Sequence, residues 1–153
     1  MLSQKARYAL RALVELARAE GAQLTSGELA LRADAPRKFL EAILLELSRN
    51  HLVVSRRGKF GGYSLLMAPD KITYGQVLRI IDGPIAPLPC LSRIAYRRCA
   101  DCKSEETCEI RRVFARVAES AREVLDRTTI ADSLNSELLA DDPGGGAHEM
   151  AHL

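Results

Sequence analysis

The four cysteines of the chain lie together between residues 90 and 108, at Cys90, Cys99, Cys102 and Cys108. Cys99 and Cys102 are separated by two residues, a spacing that allows two thiolates to bind one metal ion or cluster. Basic residues flank the cysteines at Arg93, Arg97, Arg98, Lys103, Arg111 and Arg112. Positive charge lowers the pKa of nearby thiols and offsets the negative charge of a thiolate-bound centre. This segment therefore predicts metal ligation or thiol chemistry.

Three kinds of site fit this segment: an iron–sulfur cluster, a structural zinc site made of all four cysteines, or a metal-free thiol–disulfide switch. The start of the chain turns polar at once, unlike a signal peptide. No stretch approaches the roughly 20 apolar residues of a membrane span. We therefore expect a cytoplasmic protein, in which clustered cysteines serve as ligands or sensors rather than as a disulfide framework.

A second metal motif stands near the end of the chain, where residues 148–152 read H-E-x-x-H, with histidines at His148 and His152. In a metalloprotease this motif needs a buried helix, a third ligand and a substrate cleft. Here it follows three consecutive glycines in a polar tail. We expect residues 136–153 to be disordered, and we do not expect an enzyme.

Three helices and a hairpin are predicted ahead of the cysteines. Apolar residues recur at helical spacing from Ala6 to Ala17, after a candidate N-cap at Ser3. A short helix begins at the capping box Thr25-x-x-Glu28, and Pro36 suits the first position of a third helix. Two β-like runs, 52–55 and 63–67, flank a basic glycine-rich turn. This is the order of a winged helix-turn-helix, so the predicted fold class is mainly α with a small β-hairpin wing.

The third helix and the hairpin carry the residues expected to contact DNA. Side chains near the start of the third helix reach base edges in the major groove, where arginine pairs with guanine and glutamate accepts from cytosine. On the hairpin, basic side chains meet phosphates or the minor groove, and glycine allows close backbone approach. The predicted DNA-binding residues are Arg37, Lys38, Glu41, Arg49, Arg56, Arg57, Lys59 and Gly61.

The charge distribution agrees with this prediction. Residues 1–67 carry 11 basic and 6 acidic side chains, whereas the remainder carries 11 basic and 14 acidic ones. A basic excess at one end of a chain is typical of contact with a polyanion. Ordinary solvated faces would explain the charge equally well, so it counts only beside the helix-turn-helix pattern.

A fourth helix, begun by Thr73-x-x-Gln76, leads through a proline-spaced loop to the cysteines, and a long amphipathic helix follows them. Ser104 and the two glutamates after it predict its acid-rich start, and Thr128 or Thr129 ends it or caps a short helix over 130–134. Its heptad-like apolar stripe consists of Ile110, Phe114, Val117, Ala121 and Val124. The stripe forms either an intramolecular core or a dimer interface, and its regularity favours the dimer.

The expected units are a DNA-binding domain over 1–83, a cysteine-rich cofactor loop over 84–108 and a dimerisation helix with a short terminal helix over 104–135. The tail over 136–153 completes the chain. The boundary at residue 83 follows the break at Asp82-Gly83-Pro84.

Several of these segments resemble one family. Phe39-Leu40-Glu41, the wing sequence RGKFGGY at residues 57–63, the helix end Ile80-Ile81-Asp82 and the downstream cysteines are similar to the IscR/NsrR-type (Rrf2) winged helix-turn-helix regulators, over roughly residues 1–135. The resemblance implies a homodimer on a pseudo-palindromic operator of double-stranded DNA, with recognition helices in major grooves and wings in minor grooves. It also implies an iron–sulfur cluster near the dimer helix that controls operator affinity.

The same resemblance implies a ligand set. Three cysteines usually hold the cluster in that family, and Cys90, Cys102 and Cys108 match their positions best. This chain has a longer loop with the additional Cys99, and Arg111 stands where some relatives have a histidine ligand. Because arginine cannot bind a metal, Cys99 is the candidate for the fourth ligand, with a residue of the partner subunit as the alternative. A [2Fe–2S] cluster is expected ahead of a [4Fe–4S] cluster, with zinc as the alternative metal.

Overall fold

The computed structural model describes residues 2–135. Within them lie five α-helices and one antiparallel hairpin: α1 (Gln4–Arg18), α2 (Ser26–Arg32), α3 (Arg37–Arg49), β1 (Val53–Arg56), β2 (Gly62–Leu65), α4 (Tyr74–Ile81) and α5 (Glu109–Arg127). Short 3-10 turns lie at Pro69–Lys71, Pro89–Leu91 and Asp132–Leu134. The predicted fold class, mainly α with a small β-hairpin wing, is confirmed.

Capping side chains fix the starts of the first helices. Ser3 Oγ accepts a hydrogen bond from the backbone N–H of Ala6 (2.9 Å) and begins α1. At α2, Thr25 Oγ1 accepts from the Glu28 N–H (3.2 Å), and the Thr25 N–H donates to Glu28 Oε2 (2.8 Å), which completes the predicted capping box. Pro36 is the N-cap of α3 rather than its first residue, so it lies one position earlier than expected.

Replacing Thr25 with alanine is expected to lower the free energy of unfolding by about 1 kcal/mol, because the Glu28 N–H loses its acceptor and the Glu28 carboxylate loses the hydrogen bond from the Thr25 hydroxyl. Thr25→Ser is the matched control, since it keeps the hydroxyl and should lose much less. Urea denaturation followed by circular dichroism measures both values. Equal losses for the two variants would contradict a capping role.

The first three helices and the base of the hairpin share one hydrophobic core. Its fully buried side chains from α1 and α3 include Leu13, Leu16, Leu40, Ile43, Leu44 and Leu47. In the hairpin, Val53 pairs with Leu65 and Arg56 pairs with Gly62. Tyr63 also exchanges backbone hydrogen bonds with Leu24, in the segment between α1 and α2, at 3.0 and 2.7 Å. This bridge docks the hairpin against the helices and positions the wing beside α3.

The start of α5 differs from the sequence prediction. The helix begins at Glu109 with Cys108 as its N-cap, and Cys108 Sγ accepts from the Arg111 N–H at 3.4 Å. Ser104 instead accepts from the Thr107 N–H (3.4 Å) in a separate turn. The prediction of a helix start at Ser104 and its glutamates is therefore wrong. A serine before acidic residues signals a turn as readily as a helix, and the thiol of Cys108 takes the capping position.

The chain after α5 returns to the helical core. α5 ends at Arg127, and the predicted short helix over 130–134 is reduced to the 3-10 turn Asp132–Leu134. An isolated bridge joins Thr129 to Thr73, and the Ile130 N–H donates to the Ile72 carbonyl at 2.8 Å. Ile130 is fully buried in the main core. None of the helices within residues 2–135 combines the length and the apolar character that crossing a membrane requires.

Candidate nucleic-acid interface and cysteine segment

The outer surface of α3 carries the first group of predicted DNA-binding residues. Four apolar side chains on the inner face are buried, as the sequence periodicity predicts: Leu40, Ile43, Leu44 and Leu47. On the outer face Arg37, Lys38 and Arg49 are exposed and Glu41 is half-buried. The helix therefore presents charged side chains outward near both of its ends, beside the exposed apolar residues Phe39 and Leu45.

The start of α3 contains a small polar network. Arg37 Nε donates to Glu41 Oε1 (3.1 Å) and to Ser26 Oγ (3.2 Å), and the Ser26 hydroxyl donates to the same Glu41 oxygen at 2.8 Å. The hydrogen bond from Ser26, followed by the one from Arg37, holds the pKa of Glu41 below its ordinary value. Glu41 therefore remains a hydrogen-bond acceptor at neutral pH. The sequence did not identify Ser26, which lies on α2 and supports both predicted residues.

The hairpin carries the second group. Arg56, Arg57 and Lys59 are exposed at its tip. Within residues 2–135 none of these cations forms an ion pair, so their charges are available to a polyanion. At Gly61 a Cβ atom would lie 2.3 Å from the Arg56 carbonyl oxygen, which makes glycine necessary for the tight turn. Phe60 also lies here, exposed, and the predictions did not include it.

The four cysteines are free thiols in different surroundings. Cys90 is buried in the 3-10 turn Pro89–Leu91. Cys99 is half-buried and lies beside Cys90. The thiol of Cys102 faces Arg98, whose guanidinium also donates to the Cys102 carbonyl at 3.1 Å. Cys108 caps α5. The segment therefore brings Cys90, Cys99 and Cys102 into one neighbourhood and places Cys108 at the start of the following helix.

The pKa of Cys99 is shifted in the opposite direction from the one expected from the sequence. Burial, together with contact from the neighbouring Cys90 thiol, raises the pKa of Cys99 above its ordinary value. The expectation that flanking arginines lower the thiol pKa is wrong for this residue. Arg98, the nearest of the expected cations in sequence, is instead directed to Cys102, where the thiol raises the pKa of the guanidinium.

The donor set fits an iron–sulfur centre by its chemistry, because four thiols and an adjacent guanidinium suit an anionic cluster. The geometry is not assembled, however. Within the described residues no three Cys, His, Asp or Glu side chains form a group that could hold a metal ion. Ligation by Cys90, Cys99, Cys102 and Cys108 would require movement of the loop. The H-E-x-x-H motif at 148–152 lies outside the described residues.

A buried arginine connects the cysteine segment to α5. Arg122 is only 8% exposed, and its Nη2 donates to the carbonyl oxygen of Leu91, next to Cys90, at 2.5 Å. Its Nη1 lies 3.5 Å from Glu119 Oε2, and that oxygen also accepts from Arg93 at 2.7 Å. No local pattern predicts this role, since Arg122 has the same sequence context as the solvated charges of an amphipathic helix.

The apolar stripe of α5 lies outside the core. Ile110, Val117 and Val124 are 61%, 53% and 63% exposed, and Phe114 is 41% exposed. The helix contacts its own chain through a different face, which includes the buried residues Ala118 and Arg122. Val113 and Leu125 border an open apolar groove of about 920 Å³ along the stripe. In the single chain these side chains of the stripe therefore do not form an intramolecular core.

Comparisons with known proteins agree with this architecture. The family model described as Rrf2, iron-dependent transcriptional regulator, matches residues 2–136. The chain is 51% identical over 138 residues to an rrf2-like HTH-type transcriptional regulator of Rhodobacter capsulatus, covering 88% of this chain and 92% of the relative.

Two solved structures share the fold. CymR, the global cysteine regulator of B. subtilis, superposes with a TM-score of 0.71 at 32% identity, over 87% of this chain and 95% of that one. IscR of T. potens superposes with a TM-score of 0.70 at 26% identity, over 92% and 90%. The resemblance found in the sequence is thus confirmed, and the chain belongs to the Rrf2 family of transcriptional regulators, which bind DNA and are not enzymes.

Proposed function

We propose that this chain is a homodimeric regulator whose affinity for a pseudo-palindromic operator depends on the state of the cysteines between residues 90 and 108, through a bound iron–sulfur cluster. The observation that carries the proposal is the hydrogen bond from Arg122 to the Leu91 carbonyl. It fastens the turn that holds Cys90 to the helix whose exposed stripe would form the dimer. A change at the cysteines would therefore reach the dimer helix directly.

On the DNA side, α3 would enter the major groove and the hairpin the minor groove. Arg37, held by Glu41 and Ser26, keeps its terminal nitrogens free for a guanine edge, and Glu41 accepts from cytosine. Arg56, Arg57 and Lys59 would neutralise phosphates and fix the register of the protein. Lys38 and Arg49 extend the basic surface along α3, and Gly61 keeps the turn narrow.

On the sensor side, Cys90, Cys102 and Cys108 would hold the cluster, with Cys99 as the fourth ligand. The family description as iron-dependent supports an iron centre. A cluster supplies a redox-active group whose presence depends on iron and sulfide. Arg98 would offset its negative charge, since it already faces Cys102. A [2Fe–2S] form remains our first expectation.

One observation favours a second candidate, a thiol–disulfide switch. Cys99 and Cys90 lie side by side as free thiols, so oxidation would need little movement of the loop to join them. In this case the same turn would shift and Arg122 would pass the change to α5. A four-cysteine zinc site is the third candidate.

Replacing Cys102 with alanine is expected to preserve the fold while changing operator affinity by about 10-fold relative to the cluster-bound wild type. Cys102 is half-buried and contributes little to the core, whereas its loss would prevent ligation. Fluorescence anisotropy would be measured anaerobically with a duplex that the wild-type protein selects from a random-sequence pool. Equal affinities of cluster-bound protein, cluster-free protein and variant would reject cysteine control.

The metal content decides among the three candidates. An absorption spectrum of anaerobically purified protein, with iron, sulfide and zinc assayed on the same sample, would show visible charge-transfer bands and matching iron and sulfide if the cluster is present. A colourless protein with one zinc per chain would indicate a structural site. A colourless, metal-free protein whose operator affinity responds to oxidant would indicate the disulfide switch.

A further inference from the structure

The tip of the hairpin carries an apolar ring that the proposed DNA contacts leave unused. Phe60 is 86% exposed, more than any other large apolar side chain within the described residues. An aromatic ring left in water costs free energy that burial would recover. Nothing in residues 2–135 covers it, although the ammonium of Lys59 lies 5.7 Å from the ring centroid.

The turn around Phe60 is closed by its own backbone. The Gly61 N–H donates to the Gly58 carbonyl at 3.0 Å, and Gly58 adopts φ +107°, a conformation that favours glycine. Gly61 lies so close to Arg56 that no Cβ fits. Lys59 and Phe60 are therefore the two central residues of a narrow turn between the strands, and both are exposed.

The charges on the hairpin tip point to what covers the ring. Arg56, Arg57 and Lys59 are exposed on the same tip as Phe60, and none of them has an acidic partner among the described residues. A protein surface that buried the ring would have to neutralise three cations at the rim. Duplex DNA supplies phosphates along both edges of the minor groove, and the apolar faces of its stacked bases become accessible where a base step is opened. Minor-groove proteins often insert a Phe, Leu or Ile between base steps from such a basic setting.

We infer that Phe60 enters the minor groove of the operator and packs against a base step, partly unstacking it, while the adjacent cations hold the flanking phosphates. The inference rests on the proposed binding of the wing to DNA. It adds a contribution to affinity that does not depend on charge. It also adds sequence preference at positions that the wing cannot read by hydrogen bonds, because easily unstacked steps accept a wedge at lower cost.

Phe60→Ala is expected to weaken binding about 10-fold to a duplex that the wild-type protein has selected from a random-sequence pool. The slope of log affinity against log salt should stay unchanged, since no phosphate contact is lost. Lys59→Ala should instead reduce that slope by about 1. Leu66→Ala is the matched control, because Leu66 is a 55% exposed apolar residue just after β2, at the end of the hairpin away from the tip.

Replacing single operator bases with 2-aminopurine locates the contact. Wild-type protein and Leu66→Ala should raise the fluorescence at one step in each half-site, and Phe60→Ala should abolish that rise. The inference would be overturned if Phe60→Ala bound the duplex with wild-type affinity and still raised the 2-aminopurine fluorescence. It would also be overturned if Phe60→Ala reduced the salt slope as Lys59→Ala does. Unchanged DNA binding with an altered sedimentation coefficient would assign the ring to a protein contact and overturn it equally.

The same experiment separates this inference from the proposed function. A wild-type protein that selects no sequence from the pool would remove both. The other outcome is a wild-type protein that selects an operator and binds it with a steep salt slope, while Phe60→Ala shows the same affinity and the same 2-aminopurine signal. This outcome would support the regulator function and reject only the role of Phe60.

Discussion

Replacing Gly62 with alanine is expected to lower the free energy of unfolding by about 3 kcal/mol. Two penalties combine at this position. The backbone adopts φ +151°, which side chains rarely accept, and a Cβ atom would lie 2.6 Å from the carbonyl oxygen of Leu24. That oxygen accepts the backbone hydrogen bond from Tyr63, so it cannot move without breaking the bridge that docks the hairpin.

Gly58 supplies the matched control for this prediction. It also has a positive φ, +107°, but nothing lies within 4 Å of its Cβ position. Gly58→Ala should therefore cost about 1 kcal/mol, from backbone strain alone. Urea denaturation of the three proteins, followed by circular dichroism, gives the two differences. If both variants lose the same stability, the close approach of Gly62 to Leu24 contributes nothing.

Replacing Val117 with aspartate is expected to convert the proposed dimer into a monomer and to weaken operator binding by about 100-fold or more. Val117 is 53% exposed at the centre of the apolar stripe and borders the groove on α5. A carboxylate there would be buried without a partner in a dimer, at a cost that association cannot recover. Two monomers would bind the two half-sites independently, and they would lose the affinity that a dimer gains by engaging both half-sites at once.

Sedimentation equilibrium measures the association, and fluorescence anisotropy with the selected duplex measures the binding. Glu123→Ala is the control on the same helix, because Glu123 is exposed off the stripe and pairs with Arg127 at 3.0 Å. It should keep both the mass and the affinity of the wild type. A Val117→Asp protein that remains dimeric would assign the dimer interface to another surface, and a dimeric variant with weakened DNA binding would assign a different role to α5.

Much of the structure of residues 2–83 could be predicted from the sequence, because its determinants are local. The capping boxes act within four residues, and the 3.6-residue period of α3 fixes which side chains are buried. The strands were predicted within one or two residues of their observed limits, since β1 begins at Val53 and β2 begins at Gly62. Strand limits are harder to predict than helix limits because the pairing partners, such as Leu24 and Tyr63, lie far apart in sequence.

The cysteine segment was predicted less completely, for a physical reason. Spacing shows which thiols are neighbours in sequence, but the placement of Cys99 beside Cys90 depends on the path of an irregular loop. The start of α5 depended on whether Ser104 or Cys108 took the capping position, and both side chains can accept that hydrogen bond. Arg122 was missed because burial of a charged residue follows from the packing of the loop against α5, which no local pattern encodes.

The return of the chain after α5 has a consequence for how the molecule folds. Ile130 is fully buried in the main core and Thr129 pairs with Thr73, so residues that follow α5 complete the packing of residues 2–83. A fragment cut at residue 83 would leave that space empty and expose Ile72 and Val77. We therefore expect residues 2–83 and the segment after α5 to unfold together as one cooperative unit.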